Sequence, residues 1–149
     1  MLKKQLQKGF TIVELLIVIV VIGILAALVL NTFNGVQAKA RDTERKTDMK
    51  AVQSQLEAYY ADKGGYPQYA QIDDVTKIKA LLKGLEVGAA QAPQGPAFSF
   101  TNAASTGKTV YGYVPTGCTG VVIDTCQQYT LSWFSESGTP ALVTVDSLN

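Results

Sequence analysis

The strongest constraint on this chain is an apolar segment close to its N-terminus. From Phe10 to Leu30, only Thr11, Glu14 and Gly23 interrupt a run of apolar side chains. As a helix, this segment would rise about 31 Å, which matches the roughly 30 Å hydrocarbon core of a bilayer. The preceding peptide MLKKQLQKG carries three lysines and no acid. Positive charge on that side predicts that the N-terminus stays cytoplasmic and that the rest of the chain is exported.

The carboxylate of Glu14 needs an explanation, because an acid in hydrocarbon is costly unless it is neutralised, paired or close to the interface. A secretory signal peptide cut near residues 24–28 and a plain single-pass anchor both leave this acid without a role. Cleavage between Gly9 and Phe10 would create a free amine about one helical turn from Glu14. That amine, from the same chain or a neighbouring one, would pair with the carboxylate. Glu14 and Phe10 are therefore predicted to set the register of assembly.

The segment KGFTIVELLIVIVVIGILAALVL, residues 8–30, closely resembles the N-terminal signature of type IV pilins and of the pseudopilins of type II secretion. Residues 8–11 match the processing site of that superfamily, and Glu14 matches its acidic residue. The resemblance implies cleavage after Gly9 by a prepilin peptidase, N-methylation of Phe10, and polymerisation into a filament. An assembly platform and an ATPase would drive that polymerisation.

The chain departs from the superfamily at Asn31, where many members carry a proline. No proline precedes Pro67, but Asn34 and Gly35 supply a weaker interruption of a helix. We therefore expect the helix to loosen between Gly23 and Gly35 during assembly.

Helical periodicity continues from Asn31 to about Asp62. Its large apolar side chains begin at Met49, which predicts that the head packs on the helix from that residue onward. A stripe of small residues on the other side is predicted to allow close helix–helix packing, chiefly through Val36, Ala40, Thr47 and Ala51. The charged stretch from Lys39 to Lys50 is interpreted either as a solvated face or as a set of bridges between subunits.

Residues 63–149 are predicted to form the head. Gly64, Gly65 and Pro67 end the long helix, and residues 72–84 have the pattern of a short amphipathic helix. Four segments rich in β-formers follow, and Trp133 is the expected core anchor. They are residues 97–100, 108–114, 128–134 and 141–145. The prediction is an α+β fold with an antiparallel sheet of about four strands packed on the second half of the long helix. Its segments are a leader (1–9), a transmembrane and assembly helix (10–30), an exposed helix (31–62) and the head.

The two cysteines, Cys118 and Cys126, are close together in a chain predicted to be exported, which favours a disulfide over two free thiols. Closing a ring of about nine residues would stabilise the fold by about 2.5 kcal/mol in the chain-entropy model. The loop also resembles the disulfide-bounded loop of type IV pilins.

Catalysis and cofactor binding are not predicted. The chain has no histidine, which removes the commonest general base and transition-metal ligand. Asp73, Asp74 and Asp124 do not form the dense run of oxygen ligands that calcium requires, so no metal site is predicted. The net charge of +1 gives no support for nucleic-acid binding, which is left open.

Three functions agree with these features. The first is a type IV pilin, held in the cytoplasmic membrane before assembly and in an extracellular filament afterwards, which would serve adhesion, twitching motility or DNA uptake. The second is a pseudopilin of type II secretion. The third is a membrane-anchored binding protein that never polymerises. The cysteine pair and the poor calcium ligands favour the first.

Overall fold

The computed structural model describes residues 9–119 and 125–149. The chain divides into one unit that ends at Gln37 and a second that runs from Ala38 to Asn149. A single helix, α1 (Ile12–Lys63), contributes to both units. In the first unit the apolar side chains of α1 are exposed, whereas in the second they form part of a core. The predicted long helix is therefore confirmed.

The end of α1 depends on two glycines. Gly64 has φ +75°, and its N–H donates to the Tyr60 carbonyl at 2.7 Å, so a residue in the left-handed region terminates the helix. Gly65 is buried, and a Cβ there would lie 2.5 Å from the Cβ of Thr125. This close approach lets β1 (Tyr66–Pro67) pair antiparallel with β4 (Thr125–Cys126).

Between β1 and the main sheet the chain forms short helices. The helix α2 spans Val75–Leu81, and its N-cap residue Asp74 accepts from the backbone N–H groups of Thr76 and Lys77 at 2.6 and 3.0 Å. Single 3₁₀ turns lie at Tyr69–Gln71 and Val87–Ala90. These elements bury Ile72, Ile78 and Leu82, which are three of the inward positions that the amphipathic pattern predicts.

The main sheet is built from the strands β2 (Phe100–Thr101), β3 (Tyr111–Thr116), β5 (Gln128–Ser135) and β6 (Ala141–Asp146). They lie in the order β2-β3-β5-β6. The α+β class and the four strands are confirmed. The pairing of the first strand differs from the prediction, because β2 is parallel to β3 whereas the other pairs are antiparallel. Residues 102–110 return the chain to the end of the sheet where β2 starts, and Ala103 and Ser105 lie close to Gly112 of β3.

The core joins α1 to the inner face of the sheet. Met49, Val52 and Leu56 of α1 are buried against tyrosines, and Trp133 is a buried member of the same cluster. The rings of Tyr66 and Tyr129 meet edge to face at 4.6 Å.

The hydroxyls of three buried tyrosines find partners on α1. Tyr66 and Tyr129 each donate to Glu57 at 2.8 Å, and Tyr111 donates to Asp48 at 2.8 Å. Two acids of α1 therefore orient the sheet.

Candidate functional site

The predicted processing site lies immediately before α1. Gly9 and Phe10 are exposed, with Phe10 at 84% of its maximal accessibility. The Thr11 backbone N–H and hydroxyl donate to the Glu14 carboxylate at 2.9 and 2.7 Å, and the Glu14 N–H donates to the Thr11 hydroxyl at 3.3 Å. This reciprocal pair is a capping box, which satisfies backbone donors at the start of the helix.

The capping box gives Glu14 a role within its own chain that its charge alone does not predict. The Thr-x-x-Glu spacing from Thr11 to Glu14 is the sequence signal for it. A glutamine at the same position would keep the cap, whereas only a carboxylate neutralises an amine. The two roles of Glu14 can therefore be separated by substitution.

The first unit presents a helix with apolar side chains around its whole circumference. Ile17, Val21 and Leu25 are all about half exposed, and so are their neighbours on every side. Among the described residues, α1 is the one helix that is long and apolar enough to cross a membrane. Such a surface needs lipid or other apolar helices around it.

The predicted packing stripe is largely exposed. Val36 in the first unit and Ala40 and Thr47 in the second are exposed, whereas Ala51 is half-buried and packs against the core. The hydroxyls of Thr43 and Thr47 donate back to α1 carbonyls four residues earlier, each at 2.9 Å. Because these hydroxyls are satisfied within α1, the stripe can approach an apolar surface without losing hydrogen bonds.

A group of charges centred on the buried side chains of Arg45 and Glu136 also includes Arg41, Asp42 and the exposed Lys108, and we call it the ion cluster. Arg41 binds Glu136 through two bonds of 3.1 and 2.8 Å, and Arg45 binds the same carboxylate at 2.5 Å. Arg45 also binds Asp42 at 2.9 Å and the Lys108 carbonyl at 3.0 Å. The Lys108 ammonium lies 3.4 Å from Glu136. The side chains of Arg45 and Glu136 are 1% and 4% exposed.

Asp42 holds the turn between β5 and β6. Its carboxylate accepts from the backbone N–H groups of Glu136 and Ser137 at 2.9 and 2.7 Å. The hydroxyls of Ser135 and Ser137 donate to the same carboxylate at 2.9 and 2.6 Å. The prediction that the head packs on α1 only from Met49 onward is therefore wrong, because charged residues extend the contact to Arg41.

The charged stretch from Lys39 to Lys50 also contains acids whose neighbours four residues away on α1 can be compared with the structure. Asp42 pairs with Arg45 rather than with Lys46 among the described ion pairs. Burial raises the pKa of Asp48, the Tyr111 hydroxyl lowers it, and the charge of Glu44 raises it again. Glu44 and Asp48, four residues apart on α1, therefore repel each other within a single chain.

Because of the ion cluster, we expect the fold to lose stability in acid. Hydrogen bonds from Arg41 lower the pKa of Glu136, burial raises it, and Arg45 lowers it further. The resulting pKa is about 2, compared with 4.5 for an ordinary glutamate. Burial raises the pKa of Asp42, but hydrogen bonds from the Ser137 hydroxyl, from the backbone N–H groups of Glu136 and Ser137 and from the Ser135 hydroxyl lower it. The net pKa of Asp42 is below its ordinary value. A carboxyl with a lowered pKa stabilises the fold above its unfolded pKa and loses that contribution as the pH falls through the folded value. For Glu136 this contribution is on the order of 3 kcal/mol.

We therefore expect the thermal midpoint of the full chain in detergent to fall between about pH 5 and pH 2. Circular dichroism at a series of pH values measures it. Glu136→Gln should lower the midpoint at pH 7 and flatten its dependence on pH. Asp62→Asn is the control, since it removes an exposed pair with Lys63 and should keep the wild-type slope. Equal slopes for Glu136→Gln and wild type would contradict the assignment.

The cysteines form the expected bond, since Cys118 and Cys126 are joined by a disulfide. Cys126 is buried in β4, which links the disulfide to β1. Of the three acids considered as calcium ligands, Asp73 pairs with Lys77 at 2.6 Å and Asp74 caps α2. Asp124 lies outside the described residues.

Comparison with known proteins finds the same N-terminal signature. Residues 4–30 match the family model described as the prokaryotic N-terminal methylation motif. The chain is 38% identical over 84 residues to the type IV major pilin protein PilA of Myxococcus xanthus, an alignment that covers 56% of this chain and 38% of the relative. It is 31% identical over 107 residues to the type IV major pilin protein PilE1 of Neisseria gonorrhoeae, covering 72% and 59%.

Similarity extends to secretion proteins as well. The chain is 40% identical over 65 residues to the type II secretion system core protein G of Dickeya chrysanthemi, covering 44% of this chain and 42% of the relative. The chain therefore spans between 38% and 59% of the length of these three relatives. No solved structure matches it. The processing motif, the long apolar helix and these relatives together support a relationship of the chain to the superfamily of type IV pilins and pseudopilins.

Proposed function

We propose that this chain is a structural subunit of an extracellular type IV pilus. A prepilin peptidase cleaves it between Gly9 and Phe10, the new Phe10 amine is methylated, and α1 then packs among other copies of itself. The observation that carries the proposal is the apolar surface of α1 before Gln37, which is exposed on every side and overlaps the N-terminal methylation motif. A membrane covers this surface before assembly, and neighbouring helices cover it afterwards.

The partners of this subunit are other copies of the chain, the prepilin peptidase, the assembly platform and its ATPase. The subunit has no catalytic role. The filament would serve adhesion, twitching motility or DNA uptake, which differ in surface chemistry and not in the way the subunits assemble.

A pseudopilin of type II secretion is the second candidate, and the similarity to core protein G favours it. The Cys118–Cys126 bond favours the pilus, because it closes a loop that resembles the disulfide-bounded loop of type IV pilins. Electron microscopy of sheared surface material, labelled with an antibody against the head, separates the candidates. Long labelled filaments support the pilus. Labelled chains confined to the periplasm support the pseudopilus, and a labelled membrane protein that stays monomeric excludes both.

The packing stripe gives a test of assembly. Ala40→Trp places an indole where another α1 helix is proposed to approach, and overpacking by about 1–3 kcal/mol should reduce filament yield by roughly 5- to 150-fold. Ala40 is exposed in the single chain, so the thermal midpoint should stay at the wild-type value. Lys83→Trp, at another exposed position of the head, is the matched control and should assemble normally. Normal yield from Ala40→Trp would contradict the proposed packing.

A further inference from the structure

We infer that the ion cluster is a clamp that sets the point on α1 where the ordered head begins, so that opening of the helix from its N-terminal side stops at Arg41. This goes beyond the proposed function, because the clamp acts within a single chain.

The placement of buried residues along α1 supports the clamp. Between Ala38 and Lys50 the side chains buried deepest in the described structure are Arg45 and Met49. Arg41 and Asp42 lie one turn before Arg45, and all three are held by Glu136 or by its turn. Without these contacts, Met49 would be the first residue of α1 held by the head. The ion cluster therefore extends the head contact by two helical turns.

The sequence immediately before the clamp is weak as a helix. Asn31, Thr32, Asn34 and Gly35 all have low helix propensity, and a glycine costs about 1 kcal/mol relative to alanine in a helix interior. The side chains from Thr32 to Gln37 are exposed, so α1 gains little from burial there. Residues 31–37, where the helix opens readily, are thus followed closely by the part of α1 that the ion cluster binds to the head.

Charges are well suited to a positional role here. A buried ion pair is seldom more stabilising than apolar side chains of the same volume, because both charges must be desolvated. Its geometry, however, is specific: two guanidinium groups on successive turns share the Glu136 carboxylate, and Asp42 accepts from the Glu136 backbone. The Arg45 Nε finds no partner among the described residues, which adds to the cost. The arrangement fixes the helix against the turn at one register.

In a filament, the clamp would confine helix loosening to residues before Arg41 and leave the head intact under load. This consequence rests on the proposed function, whereas the clamp itself does not. The test is therefore made on monomers, and it gives a result even if filaments are never found.

Hydrogen exchange measured by mass spectrometry on the full chain in detergent micelles tests the clamp. A helical amide donates to the carbonyl four residues earlier, so a helix fixed from Arg41 protects amides from Arg45 onward. In Glu136→Gln, amides 45–48 should exchange at least about tenfold faster, while amides from residue 53 onward and those of β3 and β5 stay slow. Asp62→Asn, which removes an exposed pair, should match wild type.

A milder variant covers the case in which Glu136→Gln unfolds the whole head. Arg41→Gln removes two bonds to Glu136 without leaving a fully buried charge unpaired, and its strand amides report whether the head is folded. Faster exchange confined to residues 45–48 supports the clamp. Unchanged exchange at these residues in Glu136→Gln overturns it. Equal acceleration of α1 and the strands in Arg41→Gln also overturns it, because the ion cluster would then contribute only to general stability.

Discussion

Replacing Glu14 with alanine is expected to abolish filament assembly and to leave the fold of the head unchanged. The substitution removes the carboxylate that we propose to neutralise the Phe10 amine, and it leaves a charge unpaired among apolar helices. An unpaired charge in such surroundings costs on the order of 3–5 kcal/mol per contact, which is enough to reduce assembly several hundredfold. Filament yield in sheared material and the thermal midpoint of the monomer measure the two effects.

Two further variants separate the roles of Glu14. Glu14→Gln keeps an acceptor for the Thr11 hydroxyl and amide but carries no charge, and we expect it to fail as alanine does. Thr11→Val removes the capping hydroxyl and keeps the charge, and we expect it to assemble with at most a small loss. Normal assembly of Glu14→Gln would mean that Glu14 serves to cap α1.

Gly112→Ala is expected to destabilise the head by about 3 kcal/mol. A Cβ at this position of β3 would overlap the Ser132 hydroxyl and the Ala103 carbonyl, and it would lie 2.9 Å from the Ser105 amide. The Ser105 N–H donates to the Ser132 hydroxyl at 2.8 Å, so relief of the overlap would also break a buried hydrogen bond. Urea unfolding followed by tryptophan fluorescence measures the change.

Gly88→Ala is the matched control for Gly112→Ala. Nothing lies within 4 Å of a Cβ built at Gly88, so its unfolding midpoint should stay close to the wild-type value. A similarly small effect of Gly112→Ala would show that residues 102–110 move easily away from the sheet. It would contradict the close packing of Ala103 and Ser105 against Gly112.

The features that the sequence predicts well are those set by local periodicity. The apolar run, the length of α1 and the anchors Met49, Val52 and Leu56 follow from helical spacing alone. The strands follow from alternation and turn residues, and the disulfide follows from two neighbouring cysteines in a chain predicted to be exported. The Thr11–Glu14 capping box was also readable, because its signal lies within four residues.

The features that the sequence does not predict depend on distant partners. Glu136 is 91 residues from Arg45, and no local pattern links them. One signal was available: Arg45 lies four residues before Met49, on the face of α1 that also carries Val52 and Leu56. A charge on a core face implies a buried partner. The parallel pairing of β2 with β3 likewise depends on the path of residues 102–110, which alternation does not encode.

The proposal that the chain is cleaved before Phe10 and assembled outside the cell is tested by the intact mass and N-terminal sequence of the chain in sheared surface material. We expect a chain that starts at Phe10, about 14 Da heavier for one methyl group and about 2 Da lighter for the Cys118–Cys126 bond. Such a chain would establish processing, the disulfide and export together. A chain that keeps MLKKQLQKG, or one that starts beyond Leu25, would contradict the account and leave Glu14 without a role in assembly.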